Sequence, residues 1–396
     1  MFSYTFYIKR IFHLGTVLLL LYLFTVFCVT MQGEIGMKLS PLLGRSFLAL
    51  YLGCVFVYLY TYHAIGNTGM HKLLFSWLLG IVFLSSVSLV RLGVAEMDFI
   101  FLLSIFPYLI FSFFYFAFYK QLMSENFVVT CYQVFLFLTC LFFMNTQSVV
   151  NSIRGGFSGL NYAYFAILAL PMCLVSKKKW ISMIFFILTI YVALISMKRT
   201  GVMAMLGGII LFLFLNFIFS KHKSTLKKRS LYMLIAFIIF ALCGLWLMMN
   251  GENKEMFEFL LSRFDNIGTD GGSGRSDIYL AIIHKIVSGN LFDFLGGHGG
   301  NQVIKDFSFH LTAHCDFLEI FYDYGFFALL LFGIIHGVLI KKMFELVKMR
   351  SPYAFAFTYS YSCFFLFSTF SHILIYTYSM LLFPFWALVF SKTSKI

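Results

Sequence analysis

The chain has 396 residues, of which 61% are hydrophobic, 20% aromatic and only 11% charged, with a formal net charge of +13. Such a composition excludes an ordinary soluble domain, and its 54 Phe residues suit helices that face lipid. The basic excess is read first as a signal of membrane topology and inner-leaflet anchoring, and nucleic acid is not implied.

In chain order, apolar runs long enough to cross about 30 Å of hydrocarbon fall near 11–31, 46–64, 73–90, 99–119, 127–146, 158–176, 180–197, 201–220, 230–249, 319–340, 353–371 and 373–391. They predict an all-α integral membrane protein with about twelve transmembrane helices. Helices one to nine occupy 1–249, a large outer loop with short amphipathic helices occupies 250–316, and helices ten to twelve occupy 317–396. Lys9 and Arg10 precede the first run and no small-residue cleavage site follows it, so it is read as a retained helix. Basic residues crowd the short loops Lys177 to Lys179, Lys221 to Arg229 and Lys341 to Arg350, and all acids except Glu125 and Glu345 fall on the opposite side. Both termini are therefore expected in the cytoplasm and the large loop outside.

The eight cysteines are scattered singly, which predicts no disulfide framework. Cys315 alone adjoins the polar loop, and no thiolate-stabilising motif surrounds it.

Polar groups gather at the predicted outer boundary. The short turn Ser196 to Gly201 holds Lys198 and Arg199 there, either as snorkelling anchors or as an anion site in which a planar guanidinium suits a phosphate. Gly271, Gly272 and Gly274 precede a predicted amphipathic helix from Asp277 onward. On it Ile278, Tyr279, Ile282, Ile283, Ile286 and Val287 recur at helical spacing, with Asp277, His284 and Lys285 toward the other side. This helix is expected along the outer bilayer surface. Arg275 and its first amides form a candidate anion cradle, the alternative being a flexible linker with a solvated arginine. Gly296, Gly297, Gly299 and Gly300 read as a turn.

His310 and His314 stand four apart, so on a helix they would share a face and could bind zinc with His298 or Asp316. No third ligand has diagnostic spacing, and no metal is assigned. The other use of His314 is as a proton acceptor or hydrogen-bond donor positioned by a carboxylate. Asp316, Glu319 and Asp323 form an acidic stripe that expects cationic partners among Lys198, Arg199 and Arg275. His336 and His372 lie in apolar sequence and read as satisfied interior histidines.

The order of an arginine closing an outward turn (Ser196 to Gly201), a Gly-Arg pair in a large outer loop (Gly274 and Arg275) and the stretch Ala313 to Gly325 closing that loop resembles the O-antigen polymerase and O-antigen ligase superfamily. The likeness runs from the sixth apolar run to the tenth. Where many members have His-Asn this chain has His314 and Cys315, which leaves the role of that Asn amide without a counterpart.

The resemblance implies a metal-independent membrane glycosyltransferase without a cofactor, working at the outer face of a bacterial inner membrane on an undecaprenyl-diphosphate-linked oligosaccharide. A polymerase moves the growing glycan onto the next lipid-linked repeat, and a ligase moves it onto lipid A-core. By carry-over Arg199 and Arg275 hold the diphosphate, with Lys198 and Arg154 as further substrate contacts. His314 serves the attacking hydroxyl as base or orienting group, while Glu319 is the alternative base or an arginine's partner. Membrane lipid and a polysaccharide chain-length regulator are the partners it admits, and nucleic acid is not among them. The sequence Ala313 to Glu319 followed by Asp323 to Gly325 favours polymerase over ligase. A lipid-linked oligosaccharide flippase is the alternative of another class. It is disfavoured because the halves show no internal repeat, the spans carry few charges and the large loop is placed asymmetrically.

Overall fold

The structure, a computed structural model, describes residues 2–35, 41–65, 99–153, 162–219, 251–266, 274–373 and 377–393, with scattered residues between 235 and 249. Among these residues the chain is helical, with no strand. In order the helices are α1 (Phe2–Ile35), α2 (Pro41–Ile65), α3 (Phe99–Tyr119), α4 (Glu125–Ile153), α5 (Ala163–Leu174), α6 (Lys179–Ile195) and α7 (Arg199–Phe219). There follow α8 (Gly251–Asp265), α9 (Arg275–Ser288), α10 (Leu291–Gly296), α11 (Gln302–Asp306), α12 (Asp316–Lys348), α13 (Ala354–Phe370), a 3-10 helix (Thr377–Leu381) and α14 (Leu382–Thr393).

Tyr7–Val29, Glu125–Gln147, Arg199–Phe219 and Asp316–Lys348 are long and apolar enough to cross a membrane. A helix satisfies its backbone polar groups internally, which is why apolar runs of this length take that form in hydrocarbon. Shorter apolar helices at Leu42–Tyr58, Pro107–Tyr119, Ala163–Leu174 and Lys179–Ile195 stand where further runs are predicted. The chain is thus a helical membrane protein. The predicted run 73–90 lies outside the described residues, as does Arg154.

The packing of α7 on α13 positions the polar end of the molecule. On α7, Ile210, Phe214, Phe217 and Ile218 are exposed while Ala204, Gly208, Phe212 and Leu215 are buried, so one side suits lipid and the other meets protein. A Cβ at Gly208 would press on Tyr359 of α13, and Cys363 one turn further on approaches the Ala204 carbonyl. The helices are therefore antiparallel and close, a contact that small residues permit. Arg199 at the start of α7 consequently lies near Phe370 at the end of α13.

One predicted span is broken. In α12 the backbone leaves helical geometry at Gly325 (φ 78°, ψ −175°). The glycine stretch read as a turn docks there: His298 N–H donates to the Tyr322 carbonyl at 2.9 Å and Gly299 N–H to the Asp323 carbonyl at 2.7 Å. In the predicted run 373–391 the described residues from Thr377 form a 3-10 helix that leads directly into α14. His372 occupies the gap after α13, next to extended Ser371, because Asp316 draws the Ile373 N–H away from the helical path. It is an interior histidine, but one at the break between elements and not deep in a span.

Helix α9 forms as the periodicity predicts, with Ile278, Ile282 and Ile286 buried against Val303, Ala313 and Tyr322. Its core face is narrower than predicted. Val287 is 77% exposed and Ile283 is exposed as well, and with Leu280 at 66% they make a second apolar stripe.

Candidate functional site

Three segments distant in sequence converge at the end of the α7–α13 pair. The first is the turn before α7. Buried Gln147 donates to the Ile195 carbonyl at 2.5 Å and anchors the turn, in which Met197 takes a left-handed φ of 55°. Arg199 donates from Nη1 to the Arg263 carbonyl near the end of α8, and Arg263 donates from its own Nη1 to the Met197 carbonyl at 2.9 Å. The two arginines thus tie turn to helix reciprocally.

The second segment is the start of α9. Gly274 takes a φ of 76° over open space, the permissive conformation that favours glycine, and Arg275 follows as the first helical residue. Arg275 Nη1 donates to the Phe370 carbonyl, satisfying an orphan acceptor at the end of α13. One turn on, the Tyr279 hydroxyl donates to the carbonyls of His314 at 3.2 Å and Thr369 at 3.4 Å. Burial pushes Tyr279 up to about 12, so it remains a donor. Buried Tyr164 of α5 lies against Gly201 of α7 and packs its ring on Phe367 of α13, with centroids 4.3 Å apart.

The third segment runs from Ala313 into α12. His314 has a φ of 53°, unusual for a residue with a Cβ. Burial, then the neighbouring His372, Arg275 and Lys198, push its imidazole down to about 4. His314 is therefore neutral near pH 7, and Arg275 and Lys198 are close enough to act on it. Glu319, 2% exposed, accepts the Ala313 N–H on Oε2 at 2.6 Å. That oxygen stands 3.9 Å from His372 Nε2, and Oε1 is buried with no hydrogen-bond partner among the described residues. Asp316 faces His372, with Oδ1 3.2 Å from Nδ1.

Lys198, Arg199, Arg275, His314 and Glu319 are thus brought to one end of the bundle. Among the described contacts the acidic stripe meets His372 and backbone amides: Asp323 accepts the N–H groups of Asn301, Gln302 and Val303 at 2.8, 3.1 and 3.3 Å. The Asp323 carboxylate thereby caps the open amides at the start of α11, the part that an N-cap side chain usually plays. His310 (φ 45°) and His314 lie in irregular chain, so they do not share a helix face. Among the described residues no three His, Cys, Asp or Glu side chains converge as a metal site requires. Burial raises the Cys315 thiol, which keeps it protonated.

Sequence reasoning missed His372, Arg263, Tyr279 and Tyr164. A signal for His372 was available in the polar run Ser368, Thr369, Ser371, His372 interrupting the last apolar stretches. Arg263 carries no motif of its own, and only the backbone pairing with Arg199 reveals it. No family model matches the chain, and no curated protein matches it.

Proposed function

We propose that this chain is a polymerase of the O-antigen type, a membrane glycosyltransferase acting on undecaprenyl-diphosphate-linked repeats at the periplasmic face of the inner membrane. About twelve spans, cytoplasmic termini and a periplasmic large loop belong to the same reading. The observation that carries it is the gathering of Lys198 and Arg275 about neutral His314, with Arg199 and Arg263 on the adjoining turn.

In the reaction the acceptor hydroxyl of the next repeat attacks the anomeric carbon of the growing chain, the bond from that carbon to the diphosphate oxygen breaks, and the hydroxyl proton passes to a base. The leaving lipid diphosphate gathers negative charge that preorganised guanidinium groups stabilise. Arg199 and Arg275 take that role, with Lys198, Arg263 and Arg154 as further contacts, and no metal is required by this chemistry.

His314 suits the hydroxyl. Burial is the largest cause of its depressed basicity, followed by His372, Arg275 and Lys198, and a bound diphosphate relieves only the part due to Arg275 and Lys198. Glu319, buried behind His314 and holding the Ala313 amide, is better placed to orient than to accept the proton. The exposed stripe Leu280, Ile283 and Val287 supports a seat for α9 on the bilayer surface, at the depth of the lipid diphosphate.

Deletion of the gene with gel analysis of surface polysaccharide tests the reading. Loss of laddering with one repeat still attached is the expected result. Complete absence of attached glycan would move the assignment to ligase or flippase.

A further inference from the structure

The reaction as proposed does not use His372, a buried imidazole 1% exposed and bonded on both sides. Its Nε2 lies 2.8 Å from the backbone nitrogen of His314. An amide N–H can only donate, so Nε2 carries a lone pair and the ring hydrogen sits on Nδ1. That hydrogen faces Asp316 Oδ1 at 3.2 Å, and the second carboxylate oxygen is fixed by the Ile373 N–H at 3.1 Å. The His372 carbonyl in turn accepts the Tyr378 hydroxyl at 2.5 Å. Both ring nitrogens of His372 and both carboxylate oxygens of Asp316 thus have a defined partner.

The unit acts on a residue that needs holding. A residue with a Cβ at a φ of 53° is strained and persists only where the surroundings over-determine it. At His314 the N–H is held by His372 and the carbonyl by the Tyr279 hydroxyl, so both peptide groups flanking its Cα are clamped.

We propose that His372, as the Nδ1–H tautomer selected by Asp316, is a positioning residue that fixes the His314 backbone and so aims the His314 imidazole. The proposal rests on the reading of His314 as the group that meets the acceptor hydroxyl.

Isosteric substitutions separate the two ring nitrogens. His372→Gln places an amide oxygen near Nε2 and keeps an acceptor for the His314 N–H. His372→Asn places an amide nitrogen near Nδ1, keeps a donor for Asp316 and loses that acceptor. With purified full-length protein and a lipid-linked repeat as substrate, His372→Asn is expected to lose about 10²-fold in kcat, the scale of a small misplacement at a reacting group. The donor KM should stay within about twofold, and His372→Gln should lose no more than about fivefold. Nitrogen-15 histidine NMR of the unsubstituted protein should assign His372 as the Nδ1–H tautomer. Equal effects of Asn and Gln at normal membrane levels, whether both absent or both total, overturn the proposal, as does an Nε2–H signal. His314→Ala, measured alongside, tests the parent reading: if it remains active that reading fails, whereas an inactive His314→Ala with equal Asn and Gln variants removes the positioning role alone.

Discussion

Gly297 and Gly325 press their backbones together in matching conformations, φ 75° with ψ −178° and φ 78° with ψ −175°. A Cβ on either would run into backbone atoms of the other's segment, which cannot swing aside as a flexible side chain can. This region of backbone space is essentially reserved for glycine. Gly297→Ala and Gly325→Ala should each destabilise by at least 1–3 kcal/mol on the order of a strained backbone, read as lost folded protein in thermal unfolding followed by size-exclusion fluorescence. Gly296→Ala, where a Cβ meets open space, should behave as the parent.

Lysine should replace the arginines poorly. A guanidinium can hold a carbonyl and a phosphate at once, whereas an ammonium supplies a single compact charge. Arg199→Lys, Arg275→Lys and Arg263→Lys are each expected to lower chain extension by about 10²-fold at normal expression. Charge reversal of Lys254, whose contact with Glu258 is an exposed 3.8 Å pair, should leave polymer length unchanged. Near-normal polymer from all three arginine variants would remove the diphosphate assignment.

The depressed basicity of His314 fixes the sign of a pH effect. An imidazole held down to about 4 stays neutral in the folded protein while the unfolded chain takes up a proton below about 6.5. Its contribution to stability is therefore present above about 6.5 and is lost as pH falls from there toward 4. His314→Gln should flatten the loss of thermal stability across that window. A stability profile identical to the parent would show that His314 is not buried among these cations.

Chelation separates guanidinium from metal catalysis. Activity of the purified protein should survive EDTA, since the charge on the leaving diphosphate is met by side chains. Loss on chelation that added zinc or magnesium restores would replace the mechanism.

Orientation is checked by fusion. A reporter placed after Ser224, within the basic stretch Lys221 to Arg229, should be cytoplasmic, and one placed at Asn301 should be exported. Asn301 inside would reverse every outward-facing assignment.

Composition and hydropathy were enough to read the helical membrane class, since apolar length is a direct demand of the bilayer. The convergence of Lys198, Arg275 and His314 was legible because charged groups beside apolar runs are expensive and stand out. Pair identities were not. Asp323 meets amides of Asn301 to Val303, and a backbone N–H leaves no trace in residue type. The break at His372, by contrast, falls at the junction of the predicted runs 353–371 and 373–391, while its contacts through Asp316 with His372 and Ile373 were not legible.

Those contacts also set an order of biosynthesis. The outer half of α12 carries Asp316 and Glu319 into the protein interior, yet Asp316 finds its partners at His372 and Ile373, which leave the ribosome only after α13. Completion of the outer end therefore waits on the synthesis of α13, because the His372 and Ile373 contacts of Asp316 follow it in the chain.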